Sequence, residues 1–463
     1  MATNFLKERF WGISVLITLT VSLSAAEASS AHVRPVTFAR DVAPILQERC
    51  QECHREGSMA PMSFVTYDET RPWAKAIREQ VIKRQMPPWH IDRTIGVKQF
   101  KNDISLTDDQ INTIVRWVDS GAPLGDVKDL PPVKQWGAGN EWKAAKELGQ
   151  PDLVIKSDPY TMAVHGQDIF WRPTSDVPLT EPRWVRAVEM RPGTPAGRRI
   201  THHAVAILVQ DEPGADPALG GRGLLMEWAI GKGYDLFRPN SGRLLLPGSQ
   251  ISWEVHIHAV GEEIRDHVEL GIWFYPKGQE PKYRTRLMAF HADLPAQPAT
   301  GVTNTARKLD IPPNSMVESH YDTVLQHATI IENFQPHMHL RGKTMAVEAI
   351  LPDGSKQMVS YIGNFNFNWM TNYIYADDAA PVFPKGTIIR VTARFDNTRN
   401  HVGNPDPDQW VGFGERTVDE MSHAWMNVTY ISDEEYATWA AEHKQKPRQT
   451  ARALLPAAPN ESR

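Results

Sequence analysis

The chain has 463 residues, a formal net charge of −5, 41% hydrophobic residues and 23% charged residues. That length implies roughly two to four domains, the composition implies a mostly globular chain, and so small a charge argues against a nucleic-acid partner. Thirty-five Pro, 30 Gly and 15 Trp favour turns and short strands over a helical bundle.

Residues 1–28 read as a signal peptide. Lys7 and Arg9 precede an apolar run of 14 residues, Phe10 to Leu23, and SAAEASS then offers small residues for cleavage after Ala26 or Ala28. The run is shorter than the roughly 18 apolar residues of a spanning helix, and no other stretch approaches that length. A retained membrane anchor is the alternative. The expected mature protein is periplasmic or secreted, with no membrane span after cleavage.

The two cysteines, Cys50 and Cys53, stand in CQECH, the C-x-x-C-H pattern of c-type haem attachment. In that reading two thioether bonds hold the porphyrin and His54 is the proximal iron ligand. A redox disulfide is the alternative, but the βαβ context of thioredoxin-like motifs is missing. Around the motif, residues 36–126 read as a small all-α unit. VTFARDVAPILQERC and YDETRPWAKAIREQVIKRQ have helical spacing, with Pro72 in a first turn. LTDDQINTIVRWVDSGAP adds a third helix, capped by Thr107 with Gln110 three residues on and stopped by Gly121. The unit resembles a cytochrome c domain. Met86, beside Pro87 and Pro88, is the expected sixth iron ligand, with Met59, Met62 and His90 as rivals; methionine ligation raises the haem potential.

Residues 127–150 read as a linker. From 151 onward, short β-runs alternate with turn clusters, which implies two antiparallel β-sandwich, jelly-roll-like domains, 151–300 and 301–438, dividing near 298–308. Residues 439–463 read as a disordered tail. The expected fold class is therefore multidomain: a small all-α domain followed by two β-sandwiches.

Three histidine clusters fall in the β-rich part: His202 with His203, His256 with His258, and His337 with His339. Residues i and i+2 share a strand face, so His337 and His339 can grip one ion while Met338 points away. Adjacent His202 and His203 need a bulge or strand end to be used together. A blue-copper site requires a cysteine thiolate, and both cysteines are committed elsewhere. Histidines with one thioether suit copper, because soft sulfur stabilises Cu(I); three-histidine zinc is the competitor.

Four motifs then occur in order: THHAVAIL, WEVHIHAVGEE, PHMHLRGK, and ARFDNTRN followed by GFGERTVDEM. In this order they resemble the type II copper, ascorbate-dependent monooxygenases, the group that hydroxylates peptidylglycine and dopamine. The resemblance implies that His202, His203 and His256 bind an electron-donating copper. It implies that His337, His339 and Met421 bind a second, catalytic copper, with His258 a neighbour and Met338 packed in the core. It departs from the family where no cysteine remains for disulfides and where Ser422 replaces one. Gln335, His423 and Trp425 stand where the peptide-processing enzyme has Arg, Asn and Tyr, so a peptidylglycine substrate is not expected.

The resulting expectation is an exported copper monooxygenase that hydroxylates a C–H bond of a small organic substrate with dioxygen. Its cofactors would be covalent haem c and two copper ions, with electrons from a periplasmic donor passing through its own haem to the His202, His203, His256 copper. The alternatives are a haem and copper electron-transfer protein without oxygenase activity, and a zinc hydrolase using His337 and His339.

Overall fold

The computed structural model describes residues 34–58, 60–136, 140–212, 222–291 and 309–443. The expected signal peptide, Met59, the predicted boundary at 298–308 and residues 444–463 of the expected tail lie outside these. The start of that tail is helical, because the helix Asp433–His443 includes residues 439–443.

Helices Ala43–Arg49, Ala74–Ile82 and Asp108–Asp119 form a helical segment around Phe38, Leu46, Phe64, Ile77, Ile114 and Trp117. The last helix begins as its sequence dictates. Thr107 accepts the Gln110 backbone N–H, and the Gln110 side chain accepts that of Thr107, so two otherwise orphaned donors are satisfied. Gly121, at φ +90°, follows its end. Pro72 lies in the 3₁₀ turn Arg71–Trp73 that leads into Ala74–Ile82.

This segment is not closed on itself, as an independent all-α body would be. Trp89 and Ile91 belong to the core of the β-region that follows, and Trp89 meets Tyr373 edge-on at 4.7 Å. Backbone bonds Asp92–Tyr361, Val97–Val359 and Lys101–Ile374 stitch residues 92–101 along that region.

The rest is β-sheet with two cores. The first surrounds Val185, Val188, Leu208, Trp253 and Ile272; the second surrounds Phe334, Met345, Val391 and Phe395. Strands Met316–Val324, Ile388–Asp396, Gly342–Ile350 and Lys356–Ile362 form one four-stranded antiparallel sheet. A larger sheet carries Thr201–Val209, Arg222–Ala229, Gln250–Ile257, Tyr283–His291, Asn333–Met338 and Ser422–Ile431. It runs across the predicted division between two sandwiches: Tyr283–His291 pairs with Ser422–Ile431 from Thr285 opposite Thr429 to His291 opposite His423. Local alternation could not reveal this joint, because the two strands are far apart in sequence.

Candidate metal centre

His203 lies opposite His256 on neighbouring antiparallel strands, and the next pair is Ile257 with Thr201. His202 is thus the extra residue of a β-bulge, which turns two adjacent imidazoles toward one point. The donor nitrogens of His202, His203 and His256 all lie within 4.8 Å of one another, and Nδ1 of His202 is 3.1 Å from Nδ1 of His203. His256 is held from behind. Its Nε2 faces Asp168 Oδ2 at 3.1 Å, and Phe170 stacks on its ring at 4.4 Å. Its Nδ1 is buried without a hydrogen-bond partner. Burial, then the neighbouring histidines, brings His202 down to about 3 and holds His203 well below the usual imidazole range. Three imidazoles with converging nitrogens, one orphaned, can hold a metal ion.

The second set sits at the end of Asn333–Met338. His337 lies opposite His423 and Met338 opposite Ser422, where the pairing ends. Alternate strand residues share a face, so His337 and His339 lie on one side and Met338 turns into the core, where it is fully buried; Met421 immediately precedes the partner strand Ser422–Ile431. Met421 lies more than 80 residues downstream of that pair in sequence.

Residues 419–421 hold this end in place. His339 Nδ1 donates to the Asp419 carbonyl at 3.1 Å, which leaves its Nε2 for another partner. Glu420, fully buried, accepts the backbone N–H groups of His339 (2.9 Å) and Arg341 (2.5 Å). Burial pushes the Glu420 carboxyl up to about 8, although the N–H groups of Arg341, His339 and Met421 pull it down. Burial likewise brings His339 to about 4 and holds His337 well below its usual value.

The two sets meet. The rings of His203 and His337 are 5.3 Å apart, centroid to centroid, and those of His337 and His339 also 5.3 Å. Trp425 stacks on His337 at 4.7 Å, while His423 lies 5.7 Å from it. His258 is half-buried at the side, outside the converging group.

Of the C-x-x-C-H residues, Cys53 lines a cleft that His202 also lines. Cys50 and Cys53 are free thiols; burial pushes Cys50 up to about 12 and raises Cys53. His54 Nδ1 lies 3.3 Å from the Met62 carbonyl, which leaves Nε2 available, and its ring stacks on Phe64. Two unlinked thiols beside an imidazole with one committed nitrogen fit a covalently held haem. A cleft of about 1470 Å³ has Cys53, Trp142 and Arg198 among its lining residues, and His202, Asp168 and Phe367 as well. Met86 lines another cavity, of about 630 Å³, with Trp89 and His90.

Several site residues carry no sequence signal of their own. Asp168 stands outside any motif, yet Thr417 Oγ1, from the GFGERTVDEM stretch, donates to it at 2.6 Å and joins the two histidine sets. Phe367 stacks on His202 at 4.4 Å and Met370 Sδ lies 3.0 Å from His337 Nδ1. Both come from GNFNFNWMTN, an aromatic and Asn-rich stretch between strands whose one available cue was that composition.

No family model matches the chain, and no curated protein does. Among solved structures, PNGF-II is similar over 60% of this chain and 65% of its own, just under two thirds of its length, at 10% identity and a TM-score of 0.24. The VP2 subviral particle of infectious bursal disease virus is similar over 63% and 74%, at 9% identity and a TM-score of 0.18. An allantoicase is similar over 62% and 86%, at 11% identity and a TM-score of 0.15. Likenesses this distant carry no argument about what the chain does.

Proposed function

We propose that this chain is an exported copper-dependent monooxygenase of the type II, ascorbate-dependent kind, with a cytochrome c segment ahead of a copper-binding β-region. The carrying observation is the contact between two histidine sets: three converging imidazoles, and the His337–His339 pair beside the strand that Met421 precedes. His202, His203 and His256 would hold one copper, and His337, His339 and Met421 the other. A thioether favours copper over zinc, whose sites use nitrogen, oxygen and thiolate. Copper at these positions would supply one-electron transfer and dioxygen activation toward a substrate C–H bond.

The protein's own groups prepare that chemistry. Asp168 orients His256, the Asp419 carbonyl fixes the His339 tautomer, and burial favours the neutral forms of His202, His203, His337 and His339. Cys50, Cys53 and His54 would hold the haem, with Met86 its proposed sixth ligand. The cleft shared by Cys53 and His202 supports an electron path from the haem edge to the first histidine set. A small organic substrate and a periplasmic reductant complete the reading.

The same cleft is compatible with a haem and copper protein that only transfers electrons, and oxygen-dependent turnover separates the two. The first test is metal content and electron paramagnetic resonance on haem-matured, copper-loaded protein. Two coppers per haem with a type II signal, one of them lost in His337→Ala or Met421→Ala, is the expected result. Tight zinc, or no copper above background, would overturn the proposal.

A further inference from the structure

One loop, between strands Lys356–Ile362 and Tyr373–Ile374, touches both histidine sets. Its Phe367 stacks on His202, and three residues later Met370 brings its sulfur to 3.0 Å from His337 Nδ1. Met370 and His337 are each 1% exposed, so water does not compete for either atom. The flat contact with Trp425, at 28° between ring planes, fixes the plane in which Nδ1 faces the sulfur. The backbone on each side of the sulfur is anchored as well. The Met370 carbonyl accepts from Gln335 Nε2 at 3.2 Å, and Thr371 Oγ1 donates to the Pro88 carbonyl at 3.2 Å.

We propose that Met370 is a metal-ligating thioether, a second sulfur that shares an ion with His337 in addition to Met421. The assignment rests on the copper reading of the second histidine set. A methionine that merely fills a core turns its sulfur toward carbon or an aromatic edge; this one meets a buried ring nitrogen. With metal–nitrogen near 2.0 Å and metal–sulfur near 2.3 Å, two ligands of one ion stand roughly 3 to 3.5 Å apart, and the sulfur and Nδ1 already have that spacing. His337 would ligate through Nδ1 and His339 through Nε2, since His339 Nδ1 is taken by the Asp419 carbonyl. Two soft sulfurs at one ion favour Cu(I) over Cu(II) and over zinc.

Copper-edge X-ray absorption on full-length protein loaded with Cu(I) tests this, in wild type, Met370→Leu, Met421→Leu and the double variant. Leu conserves volume at a buried Met position, so the fold should persist. The expected result is one sulfur scatterer fewer in each single variant and none in the double. Copper bound with an undiminished sulfur signal in Met370→Leu overturns the Met370 assignment and leaves the copper reading standing. A wild-type protein that takes up no Cu(I) overturns both. Should Met370→Leu fail to fold, selenomethionine-labelled Met421→Leu protein gives the same answer. A copper–selenium vector there belongs to Met370, and its absence refutes the proposal.

Discussion

The Asp168 carboxylate stands 3.1 Å from Nε2 of His256. The hydrogen bond to His256 is the main reason the Asp168 carboxyl lies near 2, so the group remains an anion throughout the neutral range. A carboxylate behind a ligating imidazole fixes its orientation and raises its basicity. Asp168→Asn is expected to weaken Cu(I) binding at the first set by roughly 10- to 100-fold. Competition with a colorimetric Cu(I) chelator measures this, and unchanged affinity would mean that Asp168 only closes the loop at Thr417.

Glu420 affects the other half. Its carboxyl group accepts the backbone N–H groups of His339 and Arg341, so Glu420→Ala leaves buried donors unpaired. The expected loss is about 1–3 kcal/mol per orphaned group, read as a lower urea midpoint. Copper retention should fall at the second set and persist at the first, so the variant keeps about one equivalent.

Glu332 predicts a pH dependence remote from the metal. It is buried, and desolvation raises its carboxyl from 4.5 to about 7, with Thr429 as its hydrogen-bond donor. The folded state therefore holds a proton that the unfolded chain releases near its ordinary carboxylate value. Its contribution is complete below about pH 4.5 and is lost as pH rises through 7. Glu332→Gln should remove that loss, so the variant gains stability relative to wild type at pH 8, on the order of 3 kcal/mol for a shift of this size. Denaturant midpoints at pH 5 and pH 8 decide it, and an equal difference at both would count against it.

Gly342 permits the close return of the chain after His339. A β-carbon there would lie 2.5 Å from Met338 Cβ and 3.1 Å from its sulfur. Gly342→Ala is expected to cost about 1–3 kcal/mol through overpacking, seen as a lower melting temperature.

Much of the centre was legible because strand geometry is local. The His337–Met338–His339 alternation placed two imidazoles on one face with Met338 on the other, and the adjacency of His202 and His203 demanded a bulge or strand end, of which the bulge occurs. Thr107 and Gln110 likewise announced a helix start. What escaped depends on distant contacts. Pairing of Tyr283–His291 with Ser422–Ile431 makes one sheet of what reads as two separate sandwiches, because alternation shows which face is apolar but not which strand lies beside it. Asp168 and Met370 matter through what they meet, and a lone acid or methionine in a loop has no period to read.

Trp89 and Phe100 lie in sequence within the helical segment, yet they pack against Tyr373 and Tyr375 beside the second histidine set. An electron-carrying module and a β-scaffold joined by a linker could be exchanged between proteins at that linker. Here the nominal linker lies beyond residues that the β-core already needs, so cutting the chain at residue 126 would strip aromatic side chains from that core. The two parts must therefore mature together, and a graft of either onto another partner would have to take residues 88–102 with the β-half.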